Sequence, residues 1–270
     1  IKDILTARKS NFSHFKKVRN IYLVISSFKR FEFFKKTFDQ LYTLIEKSND
    51  NFYIDIYIDP DDKTKKLYLD YLSNFDVCIT YNQQKLGLPF MMNILKNKIH
   101  NLELKFHQSF DYVCYFQDDL IINKESIFDD FINFYENHIN QNKVLFLTGF
   151  GNEIHPGFFH TEINDEKVIL SRSIDGKNFF TSKKKFLQIN NQPYYDNKLR
   201  KHGNPGPARG SNFDLWLWRD NSYSKNFFNV ILPNYIDVIE ESKNIKMSTW
   251  YNDETELNTQ KRKSVGNIYI

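Results

Sequence analysis

Apolar residues along this chain fall into short runs, each closed by a cluster of polar side chains. IYLVI at 21–25 is followed by Ser26-Ser27-Phe28-Lys29-Arg30. FYIDIYID at 52–59 alternates, placing Phe52, Ile54, Ile56 and Ile58 on one side, and ends at Asp59-Pro60-Asp61-Asp62. DVCITY at 76–81 leads into Asn82-Gln83-Gln84-Lys85-Leu86-Gly87. DYVCYFQDDLIIN at 111–123 carries an apolar stretch from Tyr112 to Phe116, the triplet Gln117-Asp118-Asp119, and then Leu120, Ile121 and Ile122. VLFLTGF at 144–150 is a fifth run. Runs this short, β-branched and aromatic, predict strands buried on both faces.

Helical spacing fills the gaps between them. Phe31, Phe34, Phe38, Leu41 and Ile45 share one face of a predicted helix over 31–47. Thr64 is placed to cap a second over 65–72, and Pro89 sits in the first turn of a third over 88–99. A fourth follows Asn123 and runs to His138, carrying Ile127, Phe128, Phe131, Phe134 and Tyr135. Strand and helix alternating in this way predict an α/β, Rossmann-like, mostly parallel central sheet with helices on both faces. Such sheets bind ligands at the carboxyl ends of their strands. The clusters at Ser26–Arg30, Asp59, Lys85 and Asp118-Asp119 therefore all fall on one edge.

Beyond residue 150 the texture changes to a smaller β and loop region. Residues 158–174 read as a hairpin turning at Asn164-Asp165, a basic helix over 182–189 follows Thr181, and 227–240 reads as one or two strands. HGNPGPARGS at 202–211 is a Gly/Pro loop without the GK[ST] ending of a phosphate-binding P-loop. The expected divisions are an arm at 1–20, halves of one domain at 21–150 and 151–254, and a polar tail at 255–270.

Composition narrows the partners. Hydrophobic residues make up 41% of the 270 residues, enough for a core and too many for disorder. The 37 basic and 33 acidic residues are too balanced to point to nucleic acid. No run of about 18 apolar residues predicts a transmembrane helix, and no secretory pattern is present, so the expected location is cytoplasmic or membrane-peripheral. Cys78 and Cys114 fall inside predicted strands and read as small core residues suited to a reducing compartment. A chain that begins at Ile1 is compatible with a piece of something longer.

The candidate chemistry centres on Asp118 and Asp119. Two carboxylates at the end of a buried strand are costly without a partner, and a hard divalent cation is one that prefers oxygen ligands. Asp-Asp pairs in ordinary turns and helix caps are the alternative. The acids at 59–62 lack the glycine and closing glutamate of a calcium-binding EF-hand loop. Arg30 and Lys85 read equally well as solvated surface charges, Asp59 as a turn former before Pro60, and Asp214 as a helix cap beside core residues Trp216 and Trp218. The lysines at 183–185 read as a solvated helix face, and His155 and His160 as surface histidines.

A strand ending in SSFKR, a second ending in Asp59, a third followed by Lys85-Leu86-Gly87 and a fourth ending in Gln117-Asp118-Asp119 together resemble the GT-A glycosyltransferases. The likeness is to the N-acetylglucosaminyltransferase I group, whose metal motif is Glu-Asp-Asp, and to the inverting family 2 enzymes. The resemblance implies a GT-A fold and an inverting hexosyl- or N-acetylhexosaminyltransferase of glycan biosynthesis. Its donor would be a nucleotide-diphospho-sugar such as a UDP-sugar, its acceptor a glycan or other hydroxyl, and its cofactor Mn²⁺ or Mg²⁺. It further implies that Asp119 binds the metal, Asp118 lies by the ribose or donor sugar, and Asp59 recognises uracil. Ser26 and Arg30 belong to the nucleotide-contacting turn, and Lys85 would meet phosphate. FDLW at 213–216 resembles the stretch that carries the catalytic base, giving that role to Asp214, with Phe213 and Trp216 lining the acceptor site. Ser248-Thr249-Trp250 resembles the loop that closes on the donor phosphates. Gln117 stands where the family has Glu, which leaves that position uncharged. Two other readings remain. A nucleotidyltransferase normally has a Gly-rich basic loop after strand 1, and SSFKRFEFF contains no glycine. A non-catalytic carbohydrate- or protein-binding module would have no need of Asp118, Asp119 and Asp214.

Overall fold

The computed structural model describes residues 4–5, 17–27, 29–58, 62–81, 88–150, 159–163, 166–171, 174, 176–189 and 226–239. The first four apolar runs form β1 (Asn20–Ser27), β2 (Asn51–Ile58), β3 (Cys78–Tyr81) and β4 (Tyr112–Gln117), and a short β5 (Leu120–Ile122) follows. Between them lie α1 (Phe31–Glu46), α2 (Asp62–Leu72) and α3 (Leu88–Phe106), with α4 (Ile127–Asn137) after β5. The fifth run is β6 (Val144–Thr148), and the expected hairpin is β7 (Phe159–Ile163) with β8 (Glu166–Ser171). Then come β9 (Asn178–Ser182), α5 (Lys183–Gln188), β10 (Phe228–Ile231) and β11 (Ile236–Val238).

Among the described residues nine strands make one sheet in the order β3-β2-β1-β4-β9-β6-β10-β8-β7, while β11 pairs with β5 in a separate ribbon. The pairings from β3 to β4 are parallel, as is β6 with β10. Relative to β4, only β9 and β8 are reversed, so the sheet is mostly parallel in direction.

Alternation along each strand feeds two cores. Ile21, Leu23, Ile25, Ile54, Ile56, Cys114 and Phe116 pack with α1, α2 and α4 on one face. Tyr22, Val24, Tyr57, Val113 and Tyr115 pack with α3 and α5 on the other. The predicted stripe of α1 is buried at Phe34, Phe38 and Leu41, where Phe34 and Phe38 stack with ring centroids 5.5 Å apart. Helices thus cover both faces, which is why the central strands lack a polar side.

The structure corrects some boundaries. α2 begins at Asp62, so Thr64 lies inside the helix and does not cap it. α3 continues to Phe106, because Ile99 and Leu102 extend its apolar face. Cys114 is buried and Cys78 half-buried, both as free thiols. β9 is absent from the sequence-based elements, yet it occupies the middle of the sheet. No helix among the described residues is long and apolar enough to cross a membrane.

Candidate functional site

Successive strands move outward from β1 to β3, and the chain then returns to place β4 on the opposite side of β1. The carboxyl ends of β1 and β4 therefore flank the point where strand order reverses, the usual position of a ligand crevice in such sheets. Ser26 pairs in register with Gln117 there, so the turns after the two strands face each other.

The turn after β1 passes through Lys29 in the left-handed region, at φ 61, which a non-glycine residue adopts rarely. It delivers Arg30 to the start of α1. The Arg30 guanidinium donates from one nitrogen to Asp118 Oδ1 at 2.5 Å and from another to Asp119 Oδ2 at 2.9 Å. Ser27 donates to Asp118 Oδ2 at 2.6 Å, and its hydroxyl lies 2.5 Å from that of Tyr68 on α2. Ser27 has one proton to give, so Tyr68 donates to Ser27 and the relay ends on the carboxylate. Lys177, immediately before β9, places its ammonium 3.1 and 3.3 Å from the two oxygens of Asp119. Antiparallel pairing of β9 with β4 brings it there, fixed by the Gln117 amide donating to the Lys177 carbonyl at 2.9 Å.

The backbone of the acid pair is also held. The one hydroxyl proton of Thr37 on α1 is shared between the carbonyls of Leu120 at 2.8 Å and Asp118 at 3.1 Å, and its oxygen accepts from the Leu120 amide. The Ile239 amide donates to the Asp119 carbonyl at 2.9 Å.

Two buried anions and two cations make a balanced quartet. Burial pushes the Asp119 carboxyl up, but Lys177 and Arg30 outweigh it and hold the group below the usual carboxylate range. Burial likewise opposes the charge of Arg30, and Asp118 and Asp119 overcome that and raise its pKa. Tyr68 is pushed well up by burial and by the charge of Asp118, so it remains a donor.

Ser26, Arg30, Asp118 and Asp119 are thus gathered at one strand edge; the Ser26 hydroxyl lies 2.6 Å from that of Tyr115. Asp59, Lys85, Phe213, Asp214, Trp216 and the 248–250 stretch lie outside the described residues, as do His155 and the 202–211 loop. Arg30 is not a solvated surface charge, since only 13% of its side chain is exposed. The lysines of α5 are not a uniformly solvated face either. Lys183 pairs with Glu103 at 2.7 Å, and Lys185 is buried with its ammonium 4.0 Å from the Phe227 ring centroid. Sequence reasoning placed Ser27 in the cluster at this edge without giving it a role, and it missed Tyr68 and Lys177. The only trace of Lys177 is a Gly-Lys pair before an aromatic run, which resembles any turn.

Among the described residues no three His, Cys, Asp or Glu side chains gather as a metal cage. Asp118 and Asp119 nevertheless supply hard oxygen donors of the type Mn²⁺ or Mg²⁺ takes. Asp119 is the more open to exchange, because one of its partners is a partly exposed lysine.

No family model matches the chain, and no curated protein sequence matches it. Similar solved structures include a mannosyltransferase from Pyrobaculum calidifontis in complex with GDP-Man and Mn²⁺, at TM-score 0.39 and 9% identity over 50% of this chain and 36% of that one. Glucosyl-3-phosphoglycerate synthase from Mycobacterium tuberculosis, in complex with Mn²⁺, UDP and phosphoglyceric acid, has TM-score 0.34 and 12% identity over 49% and 43%. A 4-diphosphocytidyl-2C-methyl-D-erythritol synthase from Anaerococcus prevotii has TM-score 0.46 and 12% identity over 84% and 93%. The match thus spans less than half the length of the first two proteins. At identities this low and superpositions this loose, none of the three assigns an activity or singles out the N-acetylglucosaminyltransferase I group.

Proposed function

We propose that the chain is a glycosyltransferase that moves a sugar from a nucleotide-diphospho-sugar, in the first instance a UDP-sugar, to a hydroxyl acceptor such as a glycan. The observation that supports it is the meeting of Arg30, Asp118, Asp119 and Lys177 at the β1/β4 switch point. A fully buried carboxylate, locked by Ser27 and Arg30, beside a second one with a partly exposed lysine partner is more than a turn requires. It suits a site where charge must be supplied and balanced as a ligand arrives.

In this reading Asp119 holds a divalent ion, Mn²⁺ or Mg²⁺, with Asp118 beside it. The ion would offset the negative charge that gathers on a departing nucleoside diphosphate. Arg30 fixes the two carboxylates relative to each other, and the Thr37 hydroxyl fixes their backbone. Ser26 and Arg30 line the nucleotide side, with Asp59 against the base and Lys85 against phosphate. Asp214 takes the proton from the acceptor hydroxyl as that oxygen bonds to the anomeric carbon and the nucleoside diphosphate departs from the opposite face, a single displacement that inverts the anomeric centre. Phe213 and Trp216 offer apolar faces to the acceptor sugar and exclude water from it.

Thermal shift across nucleotide-sugars, with and without Mn²⁺, finds the donor, and product analysis then measures transfer. Asp119→Ala is expected to abolish transfer and the Mn²⁺-linked part of UDP binding. Asp214→Asn is expected to keep donor binding and lose about 10²–10⁴-fold in turnover. Release of pyrophosphate from a nucleoside triphosphate, with no nucleotide-sugar consumed, would make the protein a nucleotidyltransferase instead.

A further inference from the structure

Lys177 differs from the rest of the charged quartet. Asp118 and Asp119 are buried and Arg30 is 13% exposed, whereas the Lys177 side chain is 22% exposed. Its contacts with Asp119, at 3.1 and 3.3 Å, are longer than those of Arg30, and its other contacts among the described residues are weak, Gln117 Oε1 at 3.4 Å and the Phe150 ring with its centroid 6.0 Å away. A four-carbon stem lets the ammonium swing without moving β9. Arg30, forked between both acids, has no such freedom, and its buried Nε has no partner among the described residues.

Charge decides what can enter. The quartet sums to zero. A divalent cation arriving alone at Asp119 would sit against Lys177 and Arg30, leaving a two-charge excess where little water screens it. A diphosphate arriving alone would find both cations already committed to carboxylates. If the two arrive together, the ion takes Asp119, the released ammonium turns to the diphosphate, and the total stays near zero.

We propose that Lys177 is a donor-contacting residue that exchanges its Asp119 partner for the diphosphate, so that a divalent cation and the diphosphate of a nucleotide bind as a pair. This rests on the nucleotide-diphosphate reading of the site. Lys177 then performs two tasks in turn. It neutralises the buried Asp119 through their ion pair, and it holds the diphosphate once the ion replaces it. Nothing in the resemblance to known enzymes assigns it either task.

Calorimetry on the full chain tests this with three titrations: MnCl₂ alone, UDP in EDTA, and UDP at saturating Mn²⁺, with Mn²⁺–UDP complexation in buffer subtracted. In the wild type each probe is expected to bind at least about tenfold more tightly when the other is present. In Lys177→Gln, Mn²⁺ alone should bind more tightly, UDP with Mn²⁺ more weakly, and the coupling should fall toward unity. Lys177→Arg keeps the charge and should keep the coupling, and thermal melts check that both variants fold. Unchanged coupling in Lys177→Gln would overturn the proposal. So would wild-type Mn²⁺ binding that is indifferent to UDP, or a wild type that binds no UDP under any condition. Coupling that depends on Lys177, with no nucleotide-sugar consumed, would remove the glycosyltransferase reading and leave this one. Mn²⁺-dependent sugar transfer with coupling unaltered in Lys177→Gln would do the reverse.

Discussion

Lys177 Nζ and Asp119 Oδ2 lie 3.1 Å apart although 58 residues separate them in the chain. The contact follows from strand order. β9 inserts antiparallel between β4 and β6, so the turn that begins β9 abuts the end of β4. A central strand with a reversed direction thus brings a cation to a site otherwise built from parallel strands.

Acid should expose this contact. The folded pKa of Asp119 lies below its unfolded value of about 3.9. The stability it contributes is therefore fully present above that value and is lost as pH falls through the folded pKa. Urea midpoints measured from about pH 5 down to about pH 2 should fall more steeply for the wild type than for Asp119→Asn. Parallel acid limbs would mean that Asp119 is not held ionised by Lys177 and Arg30.

Arg30 should be a stability residue before any ligand is added. Arg30→Met leaves two buried carboxylates facing one cation and is expected to cost about 3–5 kcal/mol. Arg30→Lys keeps the charge but cannot fork between Asp118 and Asp119, so a smaller loss of about 1–3 kcal/mol is expected. Ligand-free urea denaturation measures both, and equal losses would show that charge alone matters at this position.

A second ion pair, between a buried acid and a partly exposed lysine, lies away from this edge. Asp55 on β2 has no exposed surface and accepts from Tyr22 at 2.6 Å, Thr80 at 2.9 Å and Lys98 at 2.6 Å. Lys98→Met should destabilise by about 3–5 kcal/mol because Asp55 is left uncompensated. Adding Asp55→Asn removes the charge, and its one carbonyl oxygen can still accept from Tyr22 while its NH2 group donates to the Thr80 hydroxyl, so the double variant should recover most of the loss. An additive double variant in chemical denaturation would show that the two side chains are not coupled.

Gly149 marks a close approach between the end of β6 and the segment entering β11. A Cβ there would lie 2.9 Å from the Tyr235 Cβ and 3.0 Å from Ile236 Cγ1, while the Ile236 amide donates to the Gly149 carbonyl at 3.1 Å. Gly149→Ala should cost about 1–3 kcal/mol by overpacking. A loss below about 0.5 kcal/mol in urea titration would mean that residues 235–239 shift freely to make room.

The parts of the fold visible in the sequence are those where pattern and burial agree. Phe52, Ile54, Ile56 and Ile58 alternate because β2 sits inside the sheet, and Phe34, Phe38 and Leu41 recur because α1 lies against it. Asp118 and Asp119 stood out because two charges closed an otherwise apolar run. Lys177 did not, because a turn lysine gains meaning only from strand order, which short runs do not encode. Lys185 was hidden for a related reason. A basic helix reads as surface, yet its long stem lies along apolar surface and ends on the Phe227 ring and the Asn142 carbonyl.

Among the described residues, the backbone of the acid pair accepts hydrogen bonds from two segments far apart in the chain. Thr37 precedes Asp118 by 81 positions and donates to its carbonyl, and the Ile239 amide, 120 positions after Asp119, closes on its carbonyl. During synthesis the amino-terminal strands and helices emerge first and can pack on one another. The turn holding the two carboxylates would still lack its final clasp at that stage, and β5 would lack its partner strand. A ribosome-bound chain that has not yet made residue 239 therefore carries the acids with Ser27, Arg30 and Thr37 in reach but without the Ile239 contact that closes the turn.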